Sequence, residues 1–174
     1  MKTSKQTILM PIKYVKIWKK VKGVRILKEL RYITINSLLL LAIVPLSLVG
    51  YFFAVHHESL FFIYEWLLSI IVAGVFILAI IGIVKIQSKL KWISISILAF
   101  MIQFSVLSLF LGPFTKYPLF ILYYFIATIA FVLFILAIRK VDKFKFIPII
   151  FTVLSIILTL YMILLNNLWG KDLS

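Results

Sequence analysis

The sequence predicts an all-α integral membrane protein whose five transmembrane helices form an antiparallel, up-and-down bundle. Hydrophobic residues make up 64% of the chain and charged residues only 14%, whereas a soluble domain carries roughly 45 to 50% and 25%. Five apolar runs reach the roughly 20 residues that a helix needs to cross about 30 Å of hydrocarbon. If these runs cross a membrane, lysine and arginine lie almost entirely on one side of it.

The five predicted spans are residues 33–55, 60–84, 92–111, 119–138 and 147–165. Only short polar breaks separate them, so consecutive helices must run in opposite directions. No break is long enough to form a separate folded domain. We therefore expect three regions: a basic N-terminal segment, residues 1–32; the bundle, residues 33–165; and a short tail, residues 166–174.

The cations predict the orientation of the bundle, because positively charged loops near span ends are retained in the cytoplasm. The N-terminal segment carries ten lysines and arginines, the break after the second span three, and the break after the fourth span four. The opposite side has only Lys116 and Lys171. This asymmetry predicts a plasma-membrane protein with a cytoplasmic N-terminus and an extracytoplasmic C-terminus. Lysine outnumbers arginine 16 to 3, which we interpret as the codon bias of an AT-rich, Gram-positive bacterium.

The N-terminal segment is amphipathic at helical periodicity. In residues 12–22 the apolar side chains share one face and the lysines share the other. Beyond Gly23 the phase changes, which predicts a bend there between two surface helices. The second apolar face is expected to comprise Ile26, Leu27, Leu30 and Ile33.

A basic amphipathic helix binds the membrane interface by burying its apolar face among anionic headgroups. We therefore expect this segment to dock on anionic lipids. The simpler alternative is that its charges only fix the topology and anchor the bundle, because positive flanks accompany most first spans. The expected membrane-binding residues are Lys13, Lys16, Trp18, Lys19, Lys20, Arg25, Lys28 and Arg31.

The predicted spans contain few polar side chains and no charged one near a centre. A charge there costs roughly 2.5 to 3.5 kcal/mol on insertion scales and usually marks an ion path or a substrate site. Gln103 is the only strongly polar residue near a span centre, and in hydrocarbon its amide should pair with another helix. We interpret the polar residues of the third and fifth spans as interhelical contacts, with a polar cavity as the alternative. They are Gln103, Ser105, Ser108, Thr152, Ser155 and Thr159.

The outer end of the first hairpin combines histidine with acidic residues. His56, His57, Glu58 and Glu65 could in principle hold Zn²⁺, which binds imidazole and carboxylate groups. However, Glu65 can lie at headgroup level beside Trp66, so it need not be buried near the others. We expect no metal site and keep these four residues as weak candidates.

Patterns that carry catalysis are missing from the sequence. The chain has no cysteine, which excludes thiolate nucleophiles and zinc–thiolate sites. It also lacks a glycine-rich phosphate loop, an HExxH motif and a Gly-x-Ser-x-Gly motif. We expect a non-enzymatic protein without a cofactor. Nucleic-acid binding is disfavoured, because aromatic residues are not interleaved with the basic face.

Two hypotheses for function follow. The first is a small bacterial membrane protein that acts through its helices or its basic surface, with another membrane protein, a second copy or anionic lipids as partners. In topology and charge the chain resembles small basic proteins associated with bacteriocin immunity or peptide export. That resemblance implies an immunity or accessory-subunit role. The alternative is a small channel or transporter, in a homo-oligomer, for a neutral or lipidic substrate.

Overall fold

The computed structural model describes the backbone of residues 12–111, 116–142 and 144–169, and their side chains except those of 12–22, 25, 111 and 169. Each of the five helices in this part of the chain is long and apolar enough to cross a membrane, and neighbours pack antiparallel. The predicted five-span bundle is therefore confirmed. The helices are α1 (Ile12–His56), α2 (Phe61–Lys85), α3 (Lys91–Leu111), α4 (Pro118–Lys140) and α5 (Phe146–Trp169), with a 3₁₀ turn at Glu58–Leu60.

The ends of the helices follow from local chemistry. Pro118 opens α4, where its fixed backbone angle and missing N–H are tolerated. Lys85 and Lys140 lie in the last turns of α2 and α4, where cations interact favourably with the helix dipole. The next residues, Ile86 and Val141, are extended, and their side chains are buried. The first residue of each loop is therefore packed into the bundle. We call the lysine-rich end with these loops the basic end, and the opposite end the far end.

Helix α1 differs from the expected arrangement of two surface helices followed by a span. It runs unbroken through Gly23, and its apolar part begins at Ile26. A glycine inside a helix costs only about 1 kcal/mol relative to alanine and keeps its backbone hydrogen bonds. Among the described residues, no atom outside the backbone of its own helix and its chain neighbours lies within 4 Å of the position that a Cβ on Gly23 would take. Residues 12–25 therefore extend α1 beyond its apolar part.

Helix α3 lies at the centre of the bundle. In its most apolar stretch 61% of the residues are buried, against 6% in α1. Towards the basic end one core includes residues of all five helices, and towards the far end a second core includes only α3, α4 and α5. The second core comprises Val106, Leu107, Phe110, Phe120, Tyr123, Ala127 and Met162.

The far parts of α1 and α2 stand outside this second core as a two-helix hairpin. We call residues 41–70 the arm. Gly50 is the only one of these residues that is buried. The ring of Tyr64 lies against it, since a Cβ on Gly50 would be 2.5 Å from the ring. The two helices of the arm thus pack closely on each other and leave their remaining faces uncovered.

A second close approach joins α2 to α3 near the basic end. Gly82 is buried, and a Cβ there would lie 2.5 Å from Ser94 Oγ and 3.1 Å from Ser94 Cβ. Small residues let helix backbones approach closely in membranes, where dispersion contacts take the place of the hydrophobic effect. The short distance between α2 and α3 therefore requires a residue without a side chain at position 82.

We expect the substitution Gly82→Ala to lower the free energy of unfolding by about 1 to 3 kcal/mol, because Ser94 must shift to admit the methyl group. Denaturation in mixed micelles with increasing SDS measures this. Gly74→Ala is the matched control on the same helix, since its Cβ would have Leu39 Cδ1 at 3.7 Å as its nearest neighbour. Equal stability of the two variants would contradict the explanation, and Ser94→Ala added to Gly82→Ala should restore part of the loss.

Candidate functional site

Gln103 is fully buried in α3 and contacts both α4 and α5. Its Nε2 donates a hydrogen bond to Tyr123 Oη on α4 at 2.9 Å. Its Oε1 accepts one from Ser155 Oγ on α5 at 2.7 Å. Nε2 also lies 3.5 Å from Thr159 Oγ1 and from the Ser155 carbonyl oxygen. We call these four residues the polar cluster; within it, one amide joins three helices.

The hydroxyl groups of Thr152, Thr159 and Ser108 donate within their own helices. Thr152 and Thr159 donate to carbonyl oxygens four residues earlier in α5, at 2.8 Å and 2.7 Å. Ser108 is exposed and donates in the same way within α3 at 3.0 Å, so the structure places it outside the contacts between helices. Ser105 is half-buried. The polar cluster is therefore smaller than the expected set, and it contains no carboxylate, amine or imidazole group.

A groove of about 310 Å³ opens between α4 and α5 beside the polar cluster. Ser155 and Thr159 belong to both features. The hydroxyl groups of Thr128 and Thr159 are used within their own helices, so the groove suits an apolar chain better than a hydrated solute. Its lining comprises Tyr124, Ala127, Thr128, Phe131, Ser155, Ile156, Thr159 and Leu160.

Two polar residues of α1 that the sequence analysis did not single out are buried against α2 and the loop that follows it. Glu29 is 5% exposed and Asn36 is 1% exposed. The backbone N–H of Gln87 donates to Glu29 Oε1 at 3.3 Å. The Asn36 amide reaches the Val75 carbonyl oxygen and the Ala79 backbone nitrogen, each at 3.3 Å. Glu29 Oε2 is buried and has no hydrogen-bond partner among the described residues.

The expected apolar face of this part of α1 is divided between the bundle and the outer surface of the protein. Ile26 and Leu27 are exposed, whereas Glu29, Ile33 and Asn36 face the bundle. The positions 29, 33 and 36 lie on one helical face, so the spacing was visible in the sequence. Contacts of Glu29 and Asn36 with the backbone of α2 and its loop hold this face against the bundle.

At the basic end, side chains join the two loops that connect α2 to α3 and α4 to α5. Lys89 Nζ donates to Asp142 Oδ2 at 2.7 Å, and both side chains are exposed. The hydrogen bond and charge of Lys89 lower the pKa of Asp142 below its ordinary value. Lys140 Nζ lies 4.1 Å from the centre of the Trp92 ring, which is a cation–π contact between α4 and α3.

The expected membrane-binding residues are only partly described. Lys28 and Arg31 are exposed on α1. The residues whose side chains lie outside the described part are Lys13, Lys16, Trp18, Lys19, Lys20 and Arg25.

The weak metal candidates at the far end are not brought together. His56, His57, Glu58 and Glu65 are all exposed, and the His56 ring stacks on Phe52 with ring centres 4.8 Å apart. Within the described residues, no group of three or more histidine and acidic side chains is close enough to hold a metal ion. The imidazole groups therefore lie at the tip of the arm as separate polar groups.

No protein-family model, curated protein or solved structure matches this chain significantly. The five apolar helices show a multi-pass membrane protein.

We expect Gln103→Leu to lower the free energy of unfolding by about 1 to 2 kcal/mol, because the hydroxyl groups of Tyr123 and Ser155 would lose their partner in the interior. Unfolding in SDS-containing micelles measures the loss. Gln87→Leu is the control, since this glutamine is exposed in a loop. A double-mutant cycle with Tyr123→Phe should show coupling, and strictly additive effects would contradict the contact.

We expect Lys89→Gln to raise the pKa of Asp142 towards its ordinary value near 3.8. A folded-state pKa below the unfolded value means that the carboxylate stabilises the fold above the unfolded pKa, and that this contribution is lost as the pH falls through the folded pKa. Carbon-detected NMR titration of the Asp142 carboxyl group measures the shift. Lys85→Gln removes the same charge from the basic end without removing the hydrogen bond, so it should leave the midpoint nearly unchanged.

Proposed function

We propose that this chain is a non-enzymatic protein of a bacterial plasma membrane that acts by lateral contact with another integral membrane protein, as an accessory subunit or an immunity protein does. The observation that carries the proposal is the exposure of the arm: of residues 41–70, only Gly50 is buried. Two helices that pack only on each other leave room for a third. A transmembrane helix of the partner would fill that place.

One face of α1 has the residue spacing that such a helix pair requires. Positions 38, 41, 45, 48, 52 and 55 alternate in steps of three and four, the heptad repeat of knobs-into-holes packing. Apolar exposure alone is not informative, because lipid covers an exposed leucine as well as another helix does. The spacing supports the proposal. We call this set the arm stripe; it comprises Leu38, Leu41, Pro45, Leu48, Phe52 and Val55, all exposed.

The polar cluster favours a contact protein over a channel. Gln103 and Tyr123 are fully buried and hydrogen-bonded to each other, so they fill the interior of the protomer. A water path would need polar groups that remain free to solvate a passing solute. The groove between α4 and α5 favours the alternative in one respect only, since it could hold an apolar chain of a lipidic substrate.

The proposed orientation places the basic end in the cytoplasm. Among the described loops and helix ends, Lys85, Lys89, Lys91, Arg139, Lys140 and Lys145 lie at the basic end. The far end has Lys116 in the described part of the chain. Because positive charges near span ends are retained inside, this difference supports a cytoplasmic basic end and an extracytoplasmic arm tip.

We expect a photoreactive phenylalanine analogue at position 48, 70% exposed in the arm stripe, to give one discrete cross-linked protein in membranes of the source cell. The same analogue at position 121, 64% exposed on α4, should not give this cross-linked protein.

The double substitution Leu41→Ala and Phe52→Ala should weaken the association by roughly tenfold, since a truncation that matters at an interface costs more than about 1 kcal/mol. Quantitative immunoblotting of the tagged chain measures both results.

The control for that experiment is Phe125→Ala with Ile121→Ala, which removes similar exposed side chains from α4. Diffuse labelling at positions 48 and 121 alike would mean that lipid covers both surfaces, and would contradict the proposal. An adduct of two copies of the 20.2 kDa chain would identify a homodimer instead of a separate partner.

A further inference from the structure

A cavity of about 450 Å³ lies beside the start of the apolar part of α1. Of the described side chains, Lys28, Arg31, Tyr32 and Ile35 line it. They occupy positions i, i+3, i+4 and i+7, so they share one face of the helix. Tyr32 is half-buried against the core, which fixes one wall of the cavity.

Among the described residues, the two cations of this cavity have no ion-pair partner. The ion pair in the described part of the chain is formed by Lys89 and Asp142, in the loops. Glu29 follows Lys28 in the sequence, but it is buried and accepts a hydrogen bond from the loop backbone. The cavity therefore keeps the positive charge of two side chains one turn apart. An anion is the complementary ligand.

The lining of the cavity changes along α1 from charged to apolar, in the same order as a phospholipid changes from its headgroup to its acyl chains. Lys28 and Ile35 are separated by about 10 Å at a rise of about 1.5 Å per residue. The headgroup layer of one leaflet is roughly 5 to 8 Å thick. When the cations lie at the level of the phosphates, the ring of Tyr32 lies at the interface, where tyrosine is favoured, and Ile35 lies among the acyl chains.

We propose that this cavity binds an anionic phospholipid, with Lys28 and Arg31 on the phosphate, the Tyr32 hydroxyl near the ester region and Ile35 against the first part of an acyl chain. Basic pockets beside transmembrane helices recognise acidic lipid headgroups in this way. A free phosphate ion would use only the two cations. The proposal needs α1 to span the membrane but does not depend on a protein partner for the arm.

The test uses the purified full-length chain in mild detergent and native mass spectrometry. Phosphatidylglycerol and phosphatidylcholine with the same acyl chains are added in equal amounts. The unmodified chain should retain one phosphatidylglycerol in preference to phosphatidylcholine. In the double variant K28Q/R31Q the retention of phosphatidylglycerol should fall by about tenfold, since each cation near an anionic headgroup strengthens binding several-fold.

The matched control is K85Q/K91Q, which removes two exposed cations from the same end of the bundle, neither of which lines the cavity. It should retain phosphatidylglycerol like the unmodified chain. An equal loss in both double variants would show attraction by overall charge, and no loss in either would show no site; both results overturn the proposal.

Ile35→Trp tests the acyl-chain part of the site without changing any charge, and it also covers the case in which K28Q/R31Q does not fold. Filling the cavity should reduce phosphatidylglycerol retention, whereas unchanged retention would overturn the proposal. A large excess of inorganic phosphate should leave the bound lipid in place. Displacement of the lipid by phosphate alone would identify a free-anion site and overturn the assignment to a lipid.

Discussion

The hydrogen bonds of Gln103 hold the centre of this protein together. Hydrocarbon offers no water to a buried amide, so Gln103 has to find its partners on neighbouring helices. Tyr123 and Ser155 supply them and thereby fix how α4 and α5 are turned towards α3. The remaining helices attach in sequence: α2 packs on α3 through the close approach at Gly82, and α1 packs mainly on α2. The bundle is therefore most constrained at α3 and least constrained at α1.

The sequence predicted the spans to within a few residues at most ends, because the thickness of hydrocarbon sets the length of an apolar run more strongly than any other constraint. It could not show that Tyr123 would meet Gln103. That tyrosine lies in an aromatic-rich stretch of α4, and a helix that is apolar on every side carries no periodicity to reveal how it is turned. Glu29 was missed for a related reason: its spacing with Ile33 and Asn36 was visible, but its hydrogen-bond donor is a backbone N–H in a distant loop, which helical spacing does not reveal. The change of phase at Gly23 predicted a bend, but α1 continues through this residue as one helix.

Two different surfaces follow one another along the described part of α1. The cavity lined by Lys28 and Arg31 lies near the basic end, and the arm stripe begins at Leu38 and continues to the far end. The first surface is charged and the second is apolar, so they suit ligands of different chemistry. Between them in the sequence is Asn36, whose amide contacts the backbone of α2 and attaches α1 to it.

The position of Asn36 has a mechanical consequence. It is the last of the buried polar attachments between α1 and α2, and the helix continues for another 20 residues to His56, a length of about 30 Å. Gly50 rests on Tyr64, which belongs to the other helix of the hairpin and moves with it. The hairpin is therefore attached to the rest of the bundle at one end only, and a rotation of roughly 10° about that end would displace its tip by about 5 Å over that length.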